Sequence, residues 1–257
     1  MSSPKIRLLV IPRGVLPGAA IILLLLAVIL KVIPQAEPVS LYYGFPLREV
    51  AVVIDPSHGG IDPGAHYEEV LEKEVCLSVG LELKRLLEQA GARVIMTRTA
   101  DRDVSEHYPD DLESRYQRDM KGRLRIINES GADLFVSLHI NSFPDPSVRG
   151  AIVFYRNNRP ENPLLAEIIQ RNINPVVNVN PRPGQLIHQK TKEGDYLLTN
   201  RAVIPGVIVE MAFITNPDDR ALIRQESHRR RLAGAIFLGI VEHIYTLRRE
   251  PPPSGEP

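Results

Sequence analysis

Between about Val50 and Tyr245 the chain alternates short apolar runs with longer stretches in which apolar residues recur at helical spacing. The short runs predict strands at Val50 to Asp55, Arg93 to Thr97, Leu134 to Leu138, Ala151 to Tyr155 and Val207 to Glu210. The periodic stretches predict helices from Leu71 to Gln89, up to Ser130-Gly131, around Pro163 to Asn172, from Pro217 onward, and from His228 to Thr246. This repeated strand-helix-strand rhythm predicts an open α/β sheet. Polar stretches fill the gaps, among them Asp101 to Asp111 and the Asn- and Pro-rich run Asn174 to Gly184, which reads as a substrate-facing loop.

The pattern changes outside this domain, which is assigned to residues 49–247. Residues 1–14 carry Lys5, Arg7 and Arg13, and residues 15–34 include the uncharged run Gly18 to Leu30. With its flanking apolar residues that run approaches the ~20 needed to span a bilayer, so it predicts a transmembrane anchor or uncleaved signal. The basic flank predicts that everything after Pro34 lies outside the cytoplasm. A cleaved signal peptide fits less well, because Pro34-Gln35-Ala36 is a poor small-x-small site. Residues 35–48 read as a linker and 248–257, rich in proline, as a disordered tail.

Composition removes several function classes. Lys plus Arg equals Asp plus Glu at 31 each, so no net field points to nucleic acid. The single cysteine, Cys76, cannot form an internal disulfide and falls in the apolar-periodic stretch of the first helix, where a small buried hydrophobe is expected.

What remains is concentrated at strand ends. VVIDPSHGG, DLFVSLHINS and VIVEMAFITN deliver His58, His139 and Glu210 to the carboxyl ends of three predicted strands, where open α/β sheets bind ligands. Gly59 and Gly60 after His58 permit a tight turn, and a carboxylate near the start of the following helix faces back toward the first strand. Spacing alone does not choose among Glu68, Glu69, Glu72 and Glu74. Two imidazoles and one carboxylate leave an open position on a tetrahedral zinc ion, where a water can be activated. Glu210 closes an apolar strand, and a carboxylate in such a setting should be paired, bound to metal or protonated. His66, His107, His188, His228 and His243 lack this context and read as surface or core residues.

These residues resemble the zinc-dependent N-acetylmuramoyl-L-alanine amidases that trim bacterial cell walls. The resemblance covers about Val50 to Tyr245, in the order Asp55-Pro56-Ser57-His58-Gly59-Gly60, Glu72-Lys73-Glu74, Thr97-Arg98, Ser137-Leu138-His139-Ile140-Asn141 and Val209-Glu210-Met211-Ala212-Phe213-Ile214-Thr215-Asn216. It departs from the usual pattern at Ser57 and at Met211-Ala212, where glycine is commoner. The resemblance implies a single α/β domain whose mixed, largely parallel central sheet is flanked by helices on both faces. It also implies Zn²⁺ as cofactor, with Glu72 as the third ligand beside His58 and His139, and Glu210 as the catalytic acid-base. Arg123 and Asn128 match family positions too and read as structural.

The implied reaction cleaves the amide between N-acetylmuramic acid and L-alanine in peptidoglycan. The anchored arrangement is most similar to amidases of spore-forming bacteria that act on spore cortex, which suggests a role in sporulation, germination or cell-wall maturation and a catalytic domain in the cell or spore envelope. An activating protein partner is compatible with this picture. Two rivals share parts of it: a zinc peptidase, which uses the same donor types, and an inactive membrane-anchored peptidoglycan-binding module, which has no need of Glu210.

Overall fold

A computed structural model describes residues 47–249 apart from Pro181, Gln185 and Gln189. The expectations for the basic flank, the 15–34 span, nearly all of the linker and residues 250–257 lie outside the described residues.

The described chain forms an α/β domain around a six-stranded mixed sheet. Its strands in chain order are β1 (Ala51–Pro56), the short hairpin strands β2 (His66–Tyr67) and β3 (Val70–Leu71), β4 (Arg93–Met96), β5 (Leu134–Asn141), β6 (Val148–Gly150), β7 (Ile152–Tyr155), β8 (Leu186–His188), β9 (Lys192–Glu193) and β10 (Gly206–Phe213). The main sheet runs β4-β1-β5-β10-β7-β9, with β6 and β8 forming a small separate pair. Strands β4, β1, β5 and β10 are mutually parallel, and β7 pairs antiparallel to β10. The helices are α1 (Glu72–Gln89), α2 (Arg115–Glu129), α3 (Glu161–Val177), α4 (Leu197–Arg201), α5 (Pro217–Ile223) and α6 (Glu226–Arg249).

Alternation along the strands sorts the sheet into two faces. Val52 and Ile54 of β1, Val136 and Leu138 of β5, and Val207 and Val209 of β10 join one apolar cluster with residues of α1, α3 and α6. Ala51, Val53 and Phe135 point the other way, into a smaller cluster with Ile127 of α2 and Leu198 of α4. Helices therefore flank both faces, as expected, but unequally. Three long helices cover one face, while the other has only α2 and the five-residue α4. The less covered face leaves space at the carboxyl ends of β1, β5 and β10.

Local signals account for most element boundaries. Ser114 caps α2 in a capping box with Gln117, and Asn216 caps α5 ahead of Pro217 at its first turn. One boundary differs substantially from the sequence expectation. Helix α3 continues to Val177, so Asn174 to Val177 are helical rather than part of a loop, and Pro175 lies inside the helix. Burial of Ile173 and Val177 in the main core outweighs the lost backbone hydrogen bond at Pro175, and Gln170 Nε2 donates to Asn174 Oδ1 at 2.8 Å within the same turn.

Helix α6 carries His243, which is 1% exposed and has no hydrogen-bond partner at either ring nitrogen among the described residues. Burial lowers its pKa from 6.5 to about 4, with Glu161 opposing the shift. Below pH 6.5 the unfolded chain takes up a proton that the folded chain refuses until about pH 4. Stability therefore falls across that window, by roughly 3 kcal/mol from this one residue. Urea titrations of His243→Leu should show a higher midpoint than the parent at pH 7, and a gap that widens as pH falls from 6.5 to 4.

Candidate metal centre

Strands β1 and β5 are neighbours in register, Ile54 beside Val136 and Pro56 beside Leu138, so the turn after β1 lies next to the end of β5. On the other side of β5, His139 is the register partner of Glu210 on β10. Partners in a parallel ladder point to the same face, and here it is the face covered by α2 and α4. Helix α1 begins at Glu72, immediately after the hairpin β2-β3, and this returns its first residue to the end of β1.

Three donor atoms converge there. Glu72 Oε1 lies 3.2 Å from His58 Nε2 and 3.1 Å from His139 Nδ1, and one donor atom from each residue lies within 4.8 Å of the others. Two donors each about 2.0–2.1 Å from a tetrahedral zinc ion stand about 3.3 Å apart, so the two carboxylate-imidazole separations fit such an ion. The set can hold a metal ion. The rings of His58 and His139 meet edge to face, with centroids 5.4 Å apart.

The surroundings fix each donor. Glu72 is 3% exposed, and its carboxylate accepts from Ala65 N at 2.7 Å, Ile140 N at 3.0 Å and Ser57 Oγ at 3.3 Å. Burial alone would raise its pKa, but the bonds to His139 and His58 hold it well below the usual carboxylate range. His58 sits at φ 58°, a left-handed conformation that costs a non-glycine residue roughly 1–2 kcal/mol. Its Nδ1 meets Asp62 Oδ2 at 2.6 Å, which leaves Nε2 for the centre. Burial works against a proton on His58, yet Glu72 and Asp62 raise its pKa to about 9.

Glu210 completes the site. Its Oε2 is buried with no hydrogen-bond partner among the described residues, and burial lifts its pKa to about 7 against the pull of His139. All four residues line one cavity of about 610 Å³, bounded by Tyr116 and Met120 of α2 and by Tyr196 and Leu197 beside and within α4. A carboxyl group with a pKa near 7, lining the same cavity as the metal-ligand set, suits proton transfer.

The sequence profile of the N-acetylmuramoyl-L-alanine amidase family matches residues 52–242. The chain belongs to this family. It is 32% identical over 210 residues to the germination-specific N-acetylmuramoyl-L-alanine amidase of Bacillus subtilis (strain 168), covering 82% of this chain and 86% of that protein. Among solved structures it resembles the CwlD amidase of Clostridioides difficile, determined in complex with the GerS lipoprotein, with a TM-score of 0.67 and 30% identity over 77% of this chain and 99% of the other. The amidase AmiC2 of Nostoc punctiforme gives a TM-score of 0.63 and 28% identity over 78% and 98%. The protein is thus a peptidoglycan amidase, a hydrolase of the amidase class.

In the amidase the structure gathers His58, Glu72, His139 and Glu210 and leaves the other described histidine side chains outside the donor set. His66 and His107 are exposed, and His228 and His243 are buried in α6. Cys76 is buried, which pushes its thiol up. Asn128 ties α2 to the chain after α4 through Val203 N at 2.9 Å. Sequence reasoning missed Asp62 as the partner of His58, although its place four residues on, inside the glycine-rich turn, was a usable signal. It also missed Tyr116 and Tyr196 on the cavity wall, and no described residue of the stretch read as a substrate-facing loop lines that wall.

Gly64 permits the closest approach in the centre. At φ 68°, a Cβ there would stand 2.6 Å from Glu72 Oε2 and 2.7 Å from His58 Cδ2. Gly64→Ala should displace one of the two donors. Chelator competition should show metal affinity at least about tenfold weaker, while circular dichroism remains that of the folded parent.

Proposed function

We propose that the amidase binds Zn²⁺ through His58, Glu72 and His139 and hydrolyses the bond between N-acetylmuramic acid and L-alanine with Glu210 as general base and acid. The observation that carries this reading is the convergence of two imidazoles and one carboxylate in a cavity shared with Glu210, whose Oε2 is buried and has no partner among the described residues. Bound there, zinc supplies a Lewis acid for the scissile carbonyl and makes an adjacent water acidic enough to lose a proton near pH 7.

The chain's own residues do the rest. Asp62 holds the His58 ring with Nε2 toward the centre. Glu72, anchored by two backbone N–H groups, keeps the negative charge that favours a cation. Glu210 takes the proton from the attacking water and passes it to the departing alanine nitrogen. Its pKa near 7 lets it hold a proton between those two steps.

The cellular reading extends the same proposal. Residues 15–34 anchor the amidase in the membrane, and the basic flank keeps the catalytic domain outside the cytoplasm, where peptidoglycan lies. Likeness to the germination-specific amidase of Bacillus subtilis supports a role in spore cortex or cell-wall maturation. The lipoprotein bound to the Clostridioides difficile relative supports a protein partner for this chain as well.

Digestion of purified peptidoglycan tests the reaction. Intact stem peptides with a newly free L-alanine amino group are expected, whereas cleavage within the stem would identify a zinc peptidase and no cleavage by the zinc-loaded protein an inactive binding module. Glu210→Gln should keep stoichiometric zinc and lose about 10²–10⁴-fold in turnover. His139→Ala should lose zinc as well as activity. Metal analysis of the two purified variants separates the roles, and parental turnover in Glu210→Gln would remove Glu210 from the mechanism.

A further inference from the structure

Beneath the metal centre lies a group of buried charges to which the proposed chemistry assigns no task. Asp55, fully buried at the end of β1, accepts from Thr97 Oγ1 and Ser137 Oγ at 2.6 Å each and from Arg123 Nη1 at 2.7 Å. Arg123, 1% exposed, also donates Nε to Asp119 Oδ2 at 2.8 Å, Nη1 to Pro56 O at 2.8 Å and Nη2 to His58 O at 2.5 Å. Arg98, equally buried, donates Nε to Pro56 O at 2.9 Å. Its Nη2 reaches Ser57 O at 2.8 Å and Lys73 O at 2.7 Å.

Buried ion pairs are weak evidence for stability, because well-packed apolar residues often serve as well. Their geometry here points elsewhere. Two guanidinium groups occupy the carbonyls of Pro56, Ser57 and His58, the segment that turns into the left-handed conformation at His58. Arg98 also holds the carbonyl of Lys73, the residue after Glu72, so one side chain joins the backbones of two ligand-bearing segments. A planar fork with fixed donor directions can do this, and a lysine ammonium on a flexible stem cannot satisfy the same spread of acceptors. The third ligand, His139, lies in the ladder of β5 and needs no such clamp.

We propose that Arg98 and Arg123 are positioning residues of the metal centre. They fix the backbone on either side of His58 and Glu72 so that the donor atoms converge, and zinc affinity depends on their forked geometry rather than on their charge. This rests on the reading of His58, Glu72 and His139 as zinc ligands.

The test measures zinc affinity of the full-length protein by chelator competition, with circular dichroism and urea titration alongside, for the parent, Arg98→Lys, Arg123→Lys and Ile127→Ala. Ile127 is fully buried in the smaller core and is not among the cavity-lining residues, and its truncation reports what loss of stability alone does. Each lysine variant should fold and bind zinc about 10–100-fold more weakly than the parent, as loss of groups that orient metal ligands typically does. Excess zinc should return part of its hydrolytic activity. Ile127→Ala should lower the urea midpoint and leave zinc affinity at the parental value. Folded lysine variants that bind zinc within threefold of the parent overturn the proposal, as does an equal loss of affinity in Ile127→Ala. If Arg123→Lys alone fails to fold, Arg98→Lys decides by the same criteria. If neither folds, the arginines hold the fold rather than the ligands, and the proposal fails. A parent that binds no zinc overturns the metal reading, and this proposal with it.

Discussion

A buried carboxylate held between two imidazoles is the constraint on which the rest of the structure depends. Glu72 is almost fully enclosed, and a lone anion in that position would be expelled or protonated. It is retained because His58, His139 and the N–H groups of Ala65 and Ile140 converge on its two oxygens. The partners come from three separate parts of the chain. The hairpin β2-β3 supplies Ala65 through the segment that enters it, β5 supplies His139 and Ile140, and the turn after β1 supplies His58. Charge balance in this small volume therefore requires the sheet order, the hairpin and the start of α1 to be correct together.

The sheet delivers these groups because its two faces are covered unequally. Three long helices seal one face and let β1, β5 and β10 be apolar along their whole length on that side. On the other face α2 and α4 cover the sheet more thinly, and the strand and strand-end positions that line the cavity there include Asp55, Ser57, His139, Ile208 and Glu210. The main core contributes stability, while the thinner layer leaves a cavity large enough for a substrate. Glu210 illustrates the division, since Val209 beside it lies in the core while its own carboxylate faces the cavity with one oxygen unpartnered.

Much of this was legible in the sequence, and the residues show why. Short apolar runs ending in His58, His139 and Glu210 carry their own signal, because period and polarity change at the same position. The choice of Glu72 over Glu68, Glu69 and Glu74 was not readable from spacing, because it depends on a hairpin of two-residue strands that has no periodicity of its own. Helix α3 was expected to end near Asn172 because Asn174-Pro175 has the composition of a breaker, and packing of Ile173 and Val177 overrode it. Short α4 gave no periodic signal, so its contribution to the cavity wall was invisible. Arg123 read as structural from sequence, and its hydrogen bonds to the Pro56 and His58 carbonyls are what connect it to the centre.

The most direct test of the proposed zinc centre is an anomalous-scattering measurement at the zinc edge on crystals of the full-length protein grown with one equivalent of zinc. A single strong peak is expected, about 2.0–2.2 Å from His58 Nε2, His139 Nδ1 and a Glu72 carboxylate oxygen, with the Glu210 carboxylate in the cavity and not among the ligands. A peak coordinated by other side chains, a peak with Glu210 as a direct ligand, or no bound zinc in well-ordered crystals would contradict it.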